Sequence, residues 1–307
     1  MIKLINTSDF YTNEENIKKI KYYKKKYNFQ GFELIKFNDS NNLAIKDDVK
    51  GYHLRFFPMW IDLYLGKTDV LKKEILKEED YKYVCGGRTK EEMLNFYKCE
   101  LERAKSLDVE YVVLHACNIR ISETYTYKFQ YSDMEVLKYV VEIINEVFNE
   151  KYTFKLLLEN LWWPGLKLTS KEEISYLLKH ITYKNTWFML DTGHLINNNI
   201  NLKNSKEAVE YIKSSIENLG EYKNYIKGVH LNYSLSGEYV KKSLNGRGEK
   251  EIYKHIGEID YHDPFENPEI NSILKSLPLE FLIYELIGKN NKDLEAKIKK
   301  QENVIQK

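Results

Sequence analysis

Apolar residues in this chain gather into short unbroken runs, and longer stretches with helical spacing separate them. The runs lie at 2–6 (IKLIN), 31–36 (GFELIK), 51–56 (GYHLRF), 110–116 (EYVVLHA), 154–159 (FKLLLE), 186–191 (TWFMLD), 226–231 (IKGVHL) and 280–286 (EFLIYEL). Most are apolar throughout rather than at alternate positions, the pattern of parallel strands covered on both faces. Four of the stretches after them open with Ser or Thr followed three residues later by Glu, a capping box: Thr12/Glu15, Thr89/Glu92, Ser132/Glu135 and Ser170/Glu173. Steady alternation of strand and helix predicts an α/β fold with a parallel sheet. Eight strands over 307 residues favour a closed (β/α)₈ TIM barrel, one domain spanning 1–307, over an open sheet.

Two stretches break the rhythm. Residues 60–88 are long for a barrel loop and read as a lid or a subunit contact. Residues 232–279 show no clean single helix and read as an elaborated loop over the barrel mouth. The lysine run from Lys18 to Lys26 is a solvated helix face, with Ile17, Ile20 and Tyr27 turned the other way.

Composition narrows the function classes. Lys and Arg number 47 and Asp and Glu 46, for a net charge of +1, so nothing draws the chain generally toward nucleic acid or membrane. No run of about 18 apolar residues occurs, so no membrane span is expected. The opening MIKLINTSDFYTN carries no long apolar stretch or small-residue cleavage site. The three cysteines (Cys85, Cys99, Cys117) show no Cys-x-x-Cys spacing. A cytoplasmic location is the expectation. The 25 tyrosines fit half-buried positions on barrel helices.

The chemistry sits at the strand ends. Of seven histidines, His180 and His255 read as surface or satisfied core residues. The other five do not. His115, His194, His230 and His262 fall at or just past strand ends, and His53 falls within the third run. Carboxylates join them: Glu159 ends LLLE, Asp191 ends FMLD, Glu285 follows FLIY, and Asp260 precedes His262 by two residues. In a barrel these positions converge on one mouth. Carboxylates at the ends of apolar strands are costly unless paired, and several together repel. A divalent cation relieves both costs, and imidazole with carboxylate suits Zn, Mn or Fe.

At these residues the sequence resembles the xylose isomerase-like superfamily, which holds sugar isomerases and epimerases together with endonuclease IV-type nucleases (AP endonuclease family 2). The resemblance covers nearly the whole chain. It implies a (β/α)₈ barrel with divalent metal, one to three ions, at the mouth. Matched to the isomerase pattern, Glu159, Asp191, His230 and Glu285 are the ligands from strands five to eight, and Asp191-Thr192-Gly193-His194 matches an Asp-x-Gly-His motif. Matched to the nuclease pattern, His53, His115, Glu159, Asp191, His194, His230, Asp260, His262 and Glu285 supply nine ligands in order. Segments beside the ligands depart from the nuclease signatures: His115-Ala116-Cys117 stands for His-Pro-Gly, and Asp260-Tyr261-His262 for Asp-Arg-His.

The resemblance thus implies a sugar or sugar-phosphate isomerase or epimerase, with Glu159 and Glu285 moving the proton as base and acid. Trp162 and Trp163 would wall the pocket, and Asn232 and Arg247 would contact a sugar-like substrate. The alternative it implies is multi-metal phosphoester hydrolysis, in which Arg55, Arg88, Arg120 and Lys128 could meet a nucleic acid. The aromatic loop after strand five turns the expectation toward a small molecule.

Overall fold

The computed structural model describes residues 1–8, 14–37, 45–244 and 252–305. Eight parallel strands close into a barrel in sequence order. They are β1 (Ile2–Ser8), β2 (Gly31–Ile35), β3 (Val49–His53), β4 (Tyr111–His115), β5 (Lys155–Glu159), β6 (Thr186–Asp191), β7 (Ile226–Leu231) and β8 (Phe281–Tyr284). Parallel pairing runs unbroken round the sheet and returns from β8 to β1.

The apolar runs are apolar throughout because each strand buries two faces. Outward residues such as Leu156, Leu158, Phe188, Leu190, Val229 and Leu282 join the large core beneath the helices. Inward residues Leu4, Tyr111, Val113, Leu157, Met189, Phe281 and Ile283 fill the barrel interior as a separate cluster. The ligand candidates continue the inward parity one step further. Val113 leads to His115, Leu157 to Glu159, Met189 to Asp191 and Ile283 to Glu285, two residues on in each case. The interior is largely apolar at its floor, with Glu33 of β2 as the buried exception, and turns polar in its last layer.

Helices cover the outside. α1 (Glu14–Lys26) leads to β2, and α2 (Trp60–Tyr64), α3 (Thr68–Glu74), α4 (Tyr81–Val84) and α5 (Lys90–Ser106) lie between β3 and β4. Next come α6 (Glu123–Thr126), α7 (Asp133–Val147), α8 (Lys171–His180), α9 (Thr192–Asn197) and α10 (Ser205–Asn218). After β7 come α11 (Gly237–Ser243), α12 (Ile252–Ile259) and α13 (Ile270–Lys275), and α14 (Asn291–Ile305) closes the chain. Among the described residues no α-helix joins β2 to β3.

Residues 60–88 are bolted to the loop after β4. Trp60 donates its indole N–H to the Cys117 carbonyl at 2.8 Å, and the Ile61 N–H donates to the Asn118 side chain at 3.0 Å. Asp62 is fully buried and receives Arg120 through two bonds, at 2.8 and 3.0 Å, and the Tyr131 hydroxyl at 2.7 Å.

Of the sequence capping boxes, Ser132/Glu135 forms in both directions at the start of α7. At α5 the Thr89 hydroxyl accepts from the Glu92 N–H, while the Glu92 carboxylate reaches past Thr89 to the Arg88 N–H. Ser170/Glu173 forms no box, because Glu173 turns back to accept from the Lys167 and Leu168 amides. Thr12 lies outside the described residues.

Candidate metal centre

Strand register sets the ligands side by side. His115 pairs with Glu159 across β4 and β5, and Asp191 with His230 across β6 and β7. β3 stops short of the end of its apolar run, so His53 closes its strand rather than lying within it. Glu285 stands one residue past β8.

The nine residues form one contact network. His115 Nε2 lies 2.8 Å and His53 Nε2 3.1 Å from Glu159 Oε2. His230 Nδ1 lies 3.0 Å from Glu159 Oε1 and 3.3 Å from Glu285 Oε2. Asp260 Oδ2 takes His194 Nε2 at 3.1 Å and His262 Nε2 at 2.6 Å. These are hydrogen-bond distances; two ligands bound at about 2.1 Å around a tetrahedral ion stand roughly 3.4 Å apart, so the donors would need to spread only slightly to hold one.

The donor atoms fall into groups whose members all lie within 4.8 Å of one another. One is His53, His115 and Glu159; a second is Glu159, Asp191, His230 and Glu285; a third is His194, Asp260 and His262. These three contain all nine residues. The first two share Glu159, and the third adjoins it through His194 Nδ1, 3.3 Å from Glu159 Oε1. A further group, His53, His230 and Glu285, crosses between the first two.

Each element presents its ligand through a local device. Asp191 caps α9: its Oδ1 accepts from the His194 N–H at 2.7 Å, which fixes the Asp-x-x-His spacing. Gly193 is needed between them, because a Cβ there would stand 1.9 Å from Asn232 Oδ1. Asn232 donates to Asp191 Oδ2 at 2.7 Å, so the residue read as a substrate contact is placed as an orienting group for a ligand carboxylate. Ser234 donates to Asp260 Oδ1 and accepts from the His262 N–H, each at 3.1 Å.

The histidine tautomers follow from their partners. His53 Nδ1 lies 2.8 Å from the Leu54 carbonyl, His194 Nδ1 2.9 Å from the Asn160 carbonyl, and His262 Nδ1 3.1 Å from the Glu285 carbonyl. A carbonyl only accepts, so each Nδ1 carries the proton and Nε2 is left for a ligand role.

Burial opposes ionisation throughout; it prevails at His115, which is lowered, and at Asp191, while neighbouring charges overcome it at Glu159, His194, His230 and His262. The imidazoles of His115 and His230 outweigh burial at Glu159 and hold its carboxyl well below the usual range. Burial, with repulsion from Glu285, Glu159 and Asp260, pushes Asp191 well up. Carboxylates overcome burial to raise His194 and His230 well above their ordinary value, and Asp260 holds His262 at about 9. Among the described residues, the ion pairs of Glu159, Asp191, Asp260 and Glu285 are all with imidazoles. This donor set fits divalent cations such as Zn, Mn or Fe, which would replace those protons.

An aromatic cap adjoins the set. Trp162 packs 5.1 Å from the His194 ring, and Phe56 lies between His115 and Trp163. Both tryptophans are buried with Cys117, Ile119, Leu161, Val240 and Ile259. The cations considered for nucleic acid are committed elsewhere or exposed: Arg120 holds Asp62, Arg88 pairs with Glu78, Arg55 lies over Phe37, Phe57 and Phe96, and Lys128 is exposed. Arg247 lies outside the described residues. His180 is exposed, and His255 is buried away from the set between the Tyr239 hydroxyl and the Thr124 carbonyl.

Sequence reading missed Glu33 and Asn160. Glu33 is buried in mid-β2 and reaches His230 Nε2 at 2.9 Å. Asn160 clamps β5 to β6, its amide bonding both the N–H and the carbonyl of Asp191. The available signal was a carboxylate inside an apolar run.

A closed parallel barrel with a layer of imidazoles and carboxylates at its C-terminal mouth defines a (β/α)₈ TIM-barrel protein whose candidate site lies where such barrels carry theirs. The family model for the xylose isomerase-like TIM barrel matches residues 24–271, and the chain belongs to that family. No curated protein matches it in sequence. Among solved structures, endonuclease IV from Thermus thermophilus superposes with a TM-score of 0.54 at 13% identity, covering 100% of this chain and 99% of that one. A D-tagatose 3-epimerase-like protein gives 0.53 at 17%, covering 100% and 97%. The IolI protein with a bound zinc atom gives 0.55 at 15%, covering 100% and 98%. At these identities the likeness is one of fold.

Proposed function

We propose that this chain is a multinuclear metal-dependent hydrolase of phosphate esters with a small substrate. The observation that carries this reading is the sorting of nine donors into groups joined through Glu159. A single-ion isomerase needs only Glu159, Asp191, His230 and Glu285. It would leave His53, His115, His194, Asp260 and His262 buried or half-buried at the mouth, at desolvation cost and without a role. This supports the hydrolase, the alternative in the sequence reading, over the isomerase or epimerase that the sequence reading placed first.

Divalent ions held by these residues would supply a nucleophile at neutral pH and neutralise charge at phosphorus. The chain's own contribution is placement. Glu159 is held from both oxygens, Asp191 is fixed by Asn232 and the α9 amide, and Asp260 is fixed by Ser234. Trp162 packs against His194 and Phe56 against His115, and this apolar cover excludes water from that side of the mouth. The apolar character of this cap and the committed arginines support a small substrate over a nucleic-acid duplex.

One observation favours the second reading, a sugar isomerase or epimerase. Glu159, Asp191, His230 and Glu285 form a complete ligand group by themselves, with two glutamates available as base and acid.

The test is metal content by mass spectrometry on protein purified without chelator, followed by assay on small phosphomonoesters and phosphodiesters, an abasic DNA duplex and a ketose panel. The expected result is about two or three ions per chain and chelator-sensitive hydrolysis of a small ester. One ion with ketose interconversion would replace this reading by the second. Cleavage of abasic duplex would overturn the small-substrate assignment.

A further inference from the structure

We infer that Glu33 is a positioning residue that holds His230 with Nε2–H turned to the barrel floor and Nδ1 turned to Glu159 and Glu285. The inference rests on the reading of the mouth as a metal centre, and on no particular reaction there.

Glu33 sits in mid-β2, facing inward and buried. His230 Nε2 lies 2.9 Å from its Oε1, and the Tyr111 hydroxyl donates to its Oε2 at 2.8 Å. The imidazole Nε2 thus faces both carboxylate oxygens, 2.9 Å from Oε1 and 3.0 Å from Oε2, and Oε2 also accepts from the Tyr111 hydroxyl. Tyr111 reaches Glu33 because β3 carries Gly51 beside it. A Cβ at Gly51 would stand 2.2 Å from the Tyr111 ring, so any other residue would push the ring aside. The Tyr111 ring is braced on its other side by Phe281, with centroids 4.4 Å apart. A glycine, a tyrosine and a carboxylate on three strands form one support under one histidine.

His230 differs from its neighbours in this respect. His53, His194 and His262 present Nε2 to the site and turn Nδ1 to a backbone carbonyl. His230 presents Nδ1, and its outer nitrogen meets a carboxylate. A carboxylate fixes the tautomer as a carbonyl does, and its charge also makes the ligating nitrogen more basic. Loss of such a partner typically weakens metal affinity about 10- to 100-fold.

The experiment uses the full chain loaded with zinc. Zinc release to a chromogenic chelator is compared for the wild type, Glu33→Ala, Glu33→Gln and Tyr111→Phe. Long-range proton–nitrogen spectra of the zinc-loaded wild type read which His230 nitrogen bears hydrogen. We expect Glu33→Ala to weaken one ion about 10- to 100-fold. Glu33→Gln recovers much of this, because its amide oxygen still accepts from Nε2–H, and Tyr111→Phe shows a smaller loss. The wild-type spectrum shows Nε2 protonated. Zinc affinity unchanged in Glu33→Ala would overturn the inference, as would a Gln variant no better than Ala or a bare Nε2 in the wild type. If Glu33→Ala does not fold, the other two variants and the wild-type spectrum still decide. Zinc binding that follows this pattern without phosphoester hydrolysis would sink only the proposed function. Hydrolysis with zinc affinity indifferent to residue 33 would sink only the role of Glu33.

Discussion

At the scale of single residues, the centre is most exposed to test at His262. Its backbone sits at φ +50°, in the left-handed region, where side chains other than Gly, Asn, Asp and His are rare. That turn brings its imidazole back onto Asp260 two residues earlier. Asparagine tolerates the same backbone but cannot replace the imidazole. His262→Asn should therefore fold as the wild type does while losing the ion of the His194–Asp260–His262 group. We expect metal content to drop by about one ion and hydrolysis by at least about 100-fold, above the usual cost of losing a ligand's outer partner. Unchanged metal content would remove this group from the centre. The nine candidate ligands stand out in the sequence because most of them break an apolar strand at its end, where burying a charge needs a reason, and the fold brings them together. Glu33 breaks a strand in its middle, and its purpose shows only when the register sets it across the barrel from His230. Asn232 was visible as a polar residue at the mouth, but whether it faces substrate or Asp191 depends on the close approach that Gly193 permits.

At the scale of elements, most strands were legible, and the departures have local causes. β3 starts earlier than its apolar run because Val49 and Lys50 extend the pairing with β2, across a register shift between Phe32 and Glu33. The pairing between Ser170 and Glu173 fails because the loop before α8 has a stronger claim on the carboxylate. Leu168 there sits at φ +55°, and its amide and that of Lys167 lie 3.0 and 3.1 Å from Glu173 Oε2. Burial, with repulsion from Asp133, pushes Glu173 up to about 7 against those bonds. The folded chain therefore holds this proton where the unfolded chain has released it. The contribution of Glu173 to stability is fully present below the unfolded carboxyl range, falls as pH rises toward 7, and levels off above it. At about 1.4 kcal/mol per unit, the loss is on the order of 3 kcal/mol. Glu173→Gln keeps an oxygen for the two amides and has nothing to titrate. In urea unfolding between pH 5 and 8, its stability should gain on the wild type as pH rises. Parallel curves would show that Glu173 ionises normally in the fold.

At the scale of the whole molecule, the barrel carries its least favourable electrostatics at the place where all eight strands end. Five carboxylates, Glu33, Glu159, Asp191, Asp260 and Glu285, share a small and largely buried volume with five imidazoles. Their shifts oppose one another: Asp191 is driven up while Glu159 is held down, and the surrounding carboxylates push His194 and His230 up. Divalent ions held by these residues would offset the same carboxylate charge. An ion that binds only the folded chain stabilises it by mass action, about 2.7 kcal/mol at a free concentration 100 times its dissociation constant. For a chain of this size that amounts to a rise in Tm of roughly 4 °C for one ion. Calorimetry of chelator-stripped protein, before and after zinc is restored, should show this rise. In Glu159→Gln, where the residue shared by two ligand groups is lost, most of it should vanish. A stripped protein whose Tm ignores zinc would mean that imidazolium–carboxylate pairing alone satisfies the mouth, and the layer would then be a stabilising network rather than a metal centre.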